Sequence, residues 1–148
     1  MQRLCFLLLL GLCLGSRCEA KQIAVIVDKS NTVGSMTAAD LAKVFKFDKG
    51  KWPDGKNIVL VLRDPATPEM RTALEKLYHM QPQELQALLL THHAAVVVAK
   101  TEEELVHSVE TIPGAVGLVD VYSITGRVNV LKVDGKLPLE QGYALKGN

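Results

Sequence analysis

Two five-residue runs without a polar interruption, Ile23-Ala24-Val25-Ile26-Val27 and Ile58-Val59-Leu60-Val61-Leu62, constrain this chain more than any other feature. Such short, unbroken apolar runs read as strands buried on both faces, the pattern of a sheet covered by helices on each side. Helix signals follow both. Thr37 stands three residues before Asp40 as an N-cap, and Leu41, Val44 and Phe45 then share one face of a helix expected to reach about Phe47. Thr67 caps a second helix, with Pro68 at its first position, Glu69 in its first turn and Leu74, Leu77 and Tyr78 as its stripe. Pro82 opens a third, with Leu85, Leu88 and Leu89 inward, fading near His92 and His93. Thr101 and Glu104 form a capping box for a fourth, which carries Leu105, Val106 and Val109 and stops before Pro113-Gly114. Val96–Val98, within Ala94 to Ala99, reads as a short strand or an extended connection, Ala115–Val119 and Val128–Val133 read as strands, and the tail from Leu137 to Leu145 as extended chain. Strands alternating with helices predict an α/β fold: a three-layer sandwich with a mainly parallel, mixed sheet flanked by helices. No repeat or linker divides it, so residues 21–148 are expected to form one domain.

The start of the chain has a different character. Arg3 precedes an apolar stretch from Leu4 to Leu14, too short for the roughly 20 residues of a spanning helix. Cys18-Glu19-Ala20 then places small residues where a signal peptidase reads them. The expectation is a signal peptide over residues 1–20, cleaved after Ala20, and a periplasmic or secreted product with no membrane span. A lipoprotein fits less well, because Cys18 follows Arg17 and Cys13 follows Leu12. All three cysteines, Cys5, Cys13 and Cys18, fall in this leader, so the exported part would have neither disulfides nor a thiol nucleophile. Of 17 basic and 16 acidic residues, 15 of each lie beyond it. A balanced charge gives no field that would draw in nucleic acid.

Motifs for chemistry are sparse. His79, His92, His93 and His107 lack metal-ligand spacing, and no metal or cofactor is expected. Ser30, Ser35, Ser108 and Ser123 sit in no nucleophile motif, and Glu102-Glu103-Glu104 belongs to a capped helix start. The expected protein is not an enzyme.

One constellation carries a binding chemistry. Arg63 ends a strand and Thr67 opens the next helix, and a strand end feeding a helix N-terminus is where α/β proteins take up anions. The guanidinium is a planar fork for an oxyanion. Read plainly, Thr67 is an N-cap and Arg63 a surface partner of Asp64. The numbers limit what the pair can do. Two hydrogen bonds to charge contribute about 3–6 kcal/mol, against association costs of at least about 4 kcal/mol. Micromolar capture needs about 8 kcal/mol.

The ordered series Ile23-to-Asn31, Leu41-to-Phe45, Trp52-Pro53-Asp54-Gly55 and Val61-Leu62-Arg63 resembles the periplasmic substrate-binding proteins of phosphate ABC transporters. Pro113-to-Val119, Val130-to-Gly135, Pro138 and Gly142-to-Leu145 extend the resemblance over nearly all of residues 21–148. It implies one lobe of a type II periplasmic binding protein, and an oxyanion, phosphate or similar, bound by Arg63, Thr67, Ser30 and Asn31. It also implies a transporter permease, a second protein lobe or a second copy as partner. The ligand loop departs from the family pattern of arginine, two residues and Gly-Ser-Gly-Thr: Pro68 removes a backbone donor and Glu69 adds negative charge. Weak or partner-dependent binding is therefore expected. The alternative is an envelope structural or interaction module that kept the fold and lost the ligand.

Overall fold

A computed structural model describes residues 22–147; the signal peptide and cleavage bond expected from the sequence lie outside them. The six strands are β1 (Ile23–Asp28), β2 (Ser35–Met36), β3 (Val59–Leu62), β4 (Val96–Val98), β5 (Ala115–Asp120) and β6 (Val128–Val133), and they form one sheet in the order β2-β6-β1-β5-β3-β4. Pairing is parallel for β2–β6, β3–β5 and β3–β4, and antiparallel where β1 meets β5 and β6. Five strands thus share one direction and β1 runs against them.

Alternation along the strands sorts the core into two faces. Val25, Val27, Leu60, Leu62, Val116, Leu118 and Leu131 point to one side. There they meet α1 (Ala38–Phe45), α2 (Pro68–Ala73) and α3 (Pro82–Thr91). Ala24, Ile26, Val61, Ala115 and Val119 point to the other, under Leu105, Val106 and Val109 of α4 (Glu102–Thr111). This is the expected sandwich. Gly117 brings α4 close, since a Cβ there would lie 2.8 Å from Leu105 Cδ2.

Several boundaries differ from the sequence reading. The first helix ends at Phe45 because Phe47 has φ 65°, left-handed backbone that a helix cannot continue. The second helix widens after Ala73 into a π-helical turn, Leu74–Tyr78, which keeps Leu74, Leu77 and Tyr78 buried. In α3 only Leu85 is fully buried, with Leu88 and Leu89 partly covered. The tail is turn-rich rather than extended. It is pinned where Tyr143 Oη donates to the Ile23 carbonyl at 2.7 Å and Ile23 N–H to that of Leu145 at 3.2 Å. The two-residue β2 was not foreseen.

Candidate functional site

The topology gathers the starts of α1, α2 and α4 at one end of the sheet, where the five co-directional strands finish. Helix N-termini carry partial positive charge and unpaired N–H groups. Much of that capacity is already used by the chain itself. Thr37 Oγ1 accepts from Asp40 N–H at 3.1 Å and Asp134 Oδ1 from Ala38 N–H at 2.9 Å. Thr101 Oγ1 accepts from Glu104 N–H at 3.1 Å. Lys43 and Thr37 hold the Asp40 carboxyl below its ordinary value by hydrogen bonding.

Arg63 stands at this end, immediately beyond β3, and is half-buried. Its Nη2 donates to the Lys100 carbonyl at 3.3 Å, while Nε is shielded from solvent and has no hydrogen-bond partner. Among the described residues it forms no ion pair, with Asp64 or any other carboxylate. Asp64 instead organises the loop: its carboxylate accepts from Ala66 N–H at 2.8 Å, and its carbonyl from Thr67 N–H at 3.0 Å. Thr67 occupies the N-cap position with φ −68° and ψ 150°, yet its side chain caps nothing. Its hydroxyl donates to the Asp64 carbonyl at 2.9 Å, so an oxyanion would have to turn that proton around. Glu69 is buried, with 5% of its surface exposed.

Ser30 and Asn31 lie at the opposite end. Ile26, Gly117 and Val61 share one row of the sheet. Because β1 runs against its neighbours, Asp28 is two residues from that row in one direction and Arg63 two in the other. Four strand residues span about 13 Å, so Ser30 and Asn31 do not come together with Arg63 and Thr67. They belong to a different network. Buried Asp28 accepts from the Ser30 N–H at 3.0 Å, from the Ser30 hydroxyl and from Gly114 N–H at 3.0 Å. Lys56 Nζ reaches Ser30 Oγ at 2.9 Å. Asn31 Oδ1 accepts from Val33 N–H at 2.9 Å, leaving a buried Nδ2 without a partner.

The sequence reading missed the Lys100 carbonyl as a partner of Arg63. The Thr101–Glu104 capping box located the start of α4, but only the pairing of β3 with β4 brings that start beside the guanidinium. The four histidines are dispersed: His92 stacks on Phe47 with centroids 4.3 Å apart, and His107 lies 3.9 Å from Glu110. No cluster of three or more His, Cys, Asp or Glu suited to a metal occurs among the described residues. None of their helices is long and apolar enough to cross a membrane.

No family model matches the sequence, and no curated protein matches it. Solved structures do. The PstS of Borrelia burgdorferi superimposes with a TM-score of 0.70 and 19% identity, over 88% of this chain and 56% of its own. An ABC-type phosphate transport receptor from Vibrio cholerae gives 0.74 at 14% identity, over 87% and 55%. A phosphate-binding protein from Stenotrophomonas maltophilia gives 0.64 at 19% identity, over 81% and 41%. The chain therefore has the fold that the resemblance implied, and it spans about half the length of the solved structures it matches.

Proposed function

We propose that this chain is an exported, non-enzymatic solute-binding module whose ligand is an oxyanion of the phosphate class, held weakly at the Arg63 end of the sheet. The carrying observation is the state of Arg63: a half-buried guanidinium at the strand end, free of any described ion pair, with an unpartnered Nε. The fold shared with proteins named for phosphate binding and phosphate transport supports the choice of anion. Export follows from reading residues 1–20 as a cleaved leader, and a periplasmic or secreted location from that.

Of the four residues named from sequence, the proposal keeps Arg63 and Thr67 together. Ser30 and Asn31 sit too far away to touch the same ion within one copy. With Thr67 turned toward Asp64 and Pro68 lacking an N–H, the donors offered by one copy fall short of the roughly 8 kcal/mol that micromolar binding requires. A second wall, from another lobe, a second copy or a transporter permease, would supply the remaining donors.

Melting the full chain in rising phosphate, against sulfate and chloride at matched ionic strength, tests this. A ligand at fifty times its Kd adds about 2 kcal/mol of stability. The expected result is a phosphate-linked rise in melting temperature at millimolar concentration that Arg63→Ala abolishes. A micromolar response, or a rise unchanged in Arg63→Ala, overturns the proposed site.

A second reading, an interaction module that has lost its ligand, is favoured by one observation: the large side chains of Tyr122 and Leu139 stand 80% and 59% exposed, and Gln22 ties Leu139 and Val121, the neighbour of Tyr122, to this same end. Gln22 accepts from the backbone N–H groups of Val121 and Leu139. No response to phosphate in either wild type or Arg63→Ala would support it.

A further inference from the structure

The capping box of α4 departs from the usual pattern in a way that reaches Arg63. In a capping box the glutamate at the third helical position bonds the N–H of the cap residue itself. Here Thr101 Oγ1 accepts from Glu104 N–H as usual, but Glu104 Oε2 bypasses Thr101 and accepts from Lys100 N–H at 2.8 Å. On its other side Lys100 presents the carbonyl that accepts from Arg63 Nη2 at 3.3 Å. The preceding residue is fixed as well, with Ala99 N–H on the Leu62 carbonyl at 2.8 Å. Lys100 is thus held from its N–H side by Glu104 while its C=O steers the guanidinium.

We infer that Glu104 is a positioning residue for Arg63. Its carboxylate locks the conformation of Lys100, and the Lys100 carbonyl in turn anchors the guanidinium through Nη2. The inference rests on the oxyanion reading for its consequence in binding, but the geometric part stands apart from it.

The charge of Glu104 makes the test one of sign. If Glu104 acted only through its field, removing a negative charge near the site would strengthen anion binding. If it positions Arg63, Glu104→Ala weakens inorganic phosphate binding by about fivefold, the net worth of one hydrogen bond, whereas Glu104→Gln keeps an acceptor oxygen and binds as well as wild type or better. Thr101→Ala serves as the control for simple loss of helix capping: it weakens the same helix start without touching Lys100 N–H, and its phosphate response is expected to stay at the wild-type level.

The independent readout is the Arg63 Nε–H in nitrogen-15 NMR of the full chain without phosphate. Shielded Nε predicts slow hydrogen exchange in wild type, Glu104→Gln and Thr101→Ala, and exchange at least tenfold faster in Glu104→Ala. Equal protection in Glu104→Ala overturns the positioning role, whatever phosphate does. Retained phosphate affinity in Glu104→Ala, where wild type responds, overturns it too. If no variant responds to phosphate but Glu104→Ala loses protection, the oxyanion reading fails and the positioning role survives.

Discussion

The Trp52 indole N–H donates to the Gly114 carbonyl at 2.9 Å, joining segments sixty-two residues apart. The same glycine gives its N–H to Asp28 and has φ 82°. The end of the sheet away from Arg63 is therefore closed by one backbone position serving three segments.

Gly114 admits no side chain. A Cβ there would lie 2.1 Å from the Asn57 carbonyl oxygen, which is backbone and cannot swing aside. Left-handed strain and overpacking together put the cost of Gly114→Ala at about 2–5 kcal/mol. Urea unfolding of the two proteins reads this directly, and a loss below 1 kcal/mol would mean that the Trp52 segment is not seated as described.

Two buried tyrosines should respond with opposite sign to the same change. Burial pushes both phenols well above their ordinary pKa, so neither ionises near neutral pH. Tyr143 Oη donates to the Ile23 carbonyl, whereas Tyr78 Oη is buried without a partner. Tyr143→Phe is expected to cost about 1–2 kcal/mol, and Tyr78→Phe to be neutral or to stabilise by up to about 1 kcal/mol. Parallel thermal melts decide it, and a loss on Tyr78→Phe equal to that on Tyr143→Phe would reveal a hydrogen bond to Tyr78.

Phe47 sets backbone strain against ring contact. Its left-handed φ costs a side-chain-bearing residue about 1–2 kcal/mol, while its ring stacks on His92 with the planes 8° apart. Both Phe47→Ala and Phe47→Gly lose the stack, but only glycine relieves the strain. Phe47→Gly should therefore be the more stable of the two by about 1 kcal/mol, measured by chemical denaturation. The reverse order would place Phe47 in ordinary backbone.

The caps were the most legible part of this sequence. Thr37 and Thr101 stand where their hydroxyls receive the third helical N–H, because a hydroxyl at that spacing has a local partner waiting. The direction of a strand has no such local signature. Ile23–Val27 is apolar at every position and would read the same in either orientation, so nothing in it reveals that β1 opposes its neighbours. That one unreadable sign separated Asn31 from Arg63. Thr67 shows a subtler limit: its place at the head of α2 was legible, but Asp64, three residues earlier, competes for its proton through a carbonyl that only the folded loop brings near. The Glu104–Lys100–Arg63 chain was hidden for the same reason, since its link from Lys100 to Arg63 joins segments thirty-seven residues apart.

The reversed first strand has a practical corollary. It starts where the others finish, and Gln22 pairs there with Lys146 in an antiparallel bridge. Both extremities of the described chain thus leave the molecule on the guanidinium's side. A purification handle, fluorescent label or sensor-chip tether attached to either one would sit on the same side as the proposed Arg63 site. Coupling through an exposed lysine of the far side, such as Lys51, would leave that approach open.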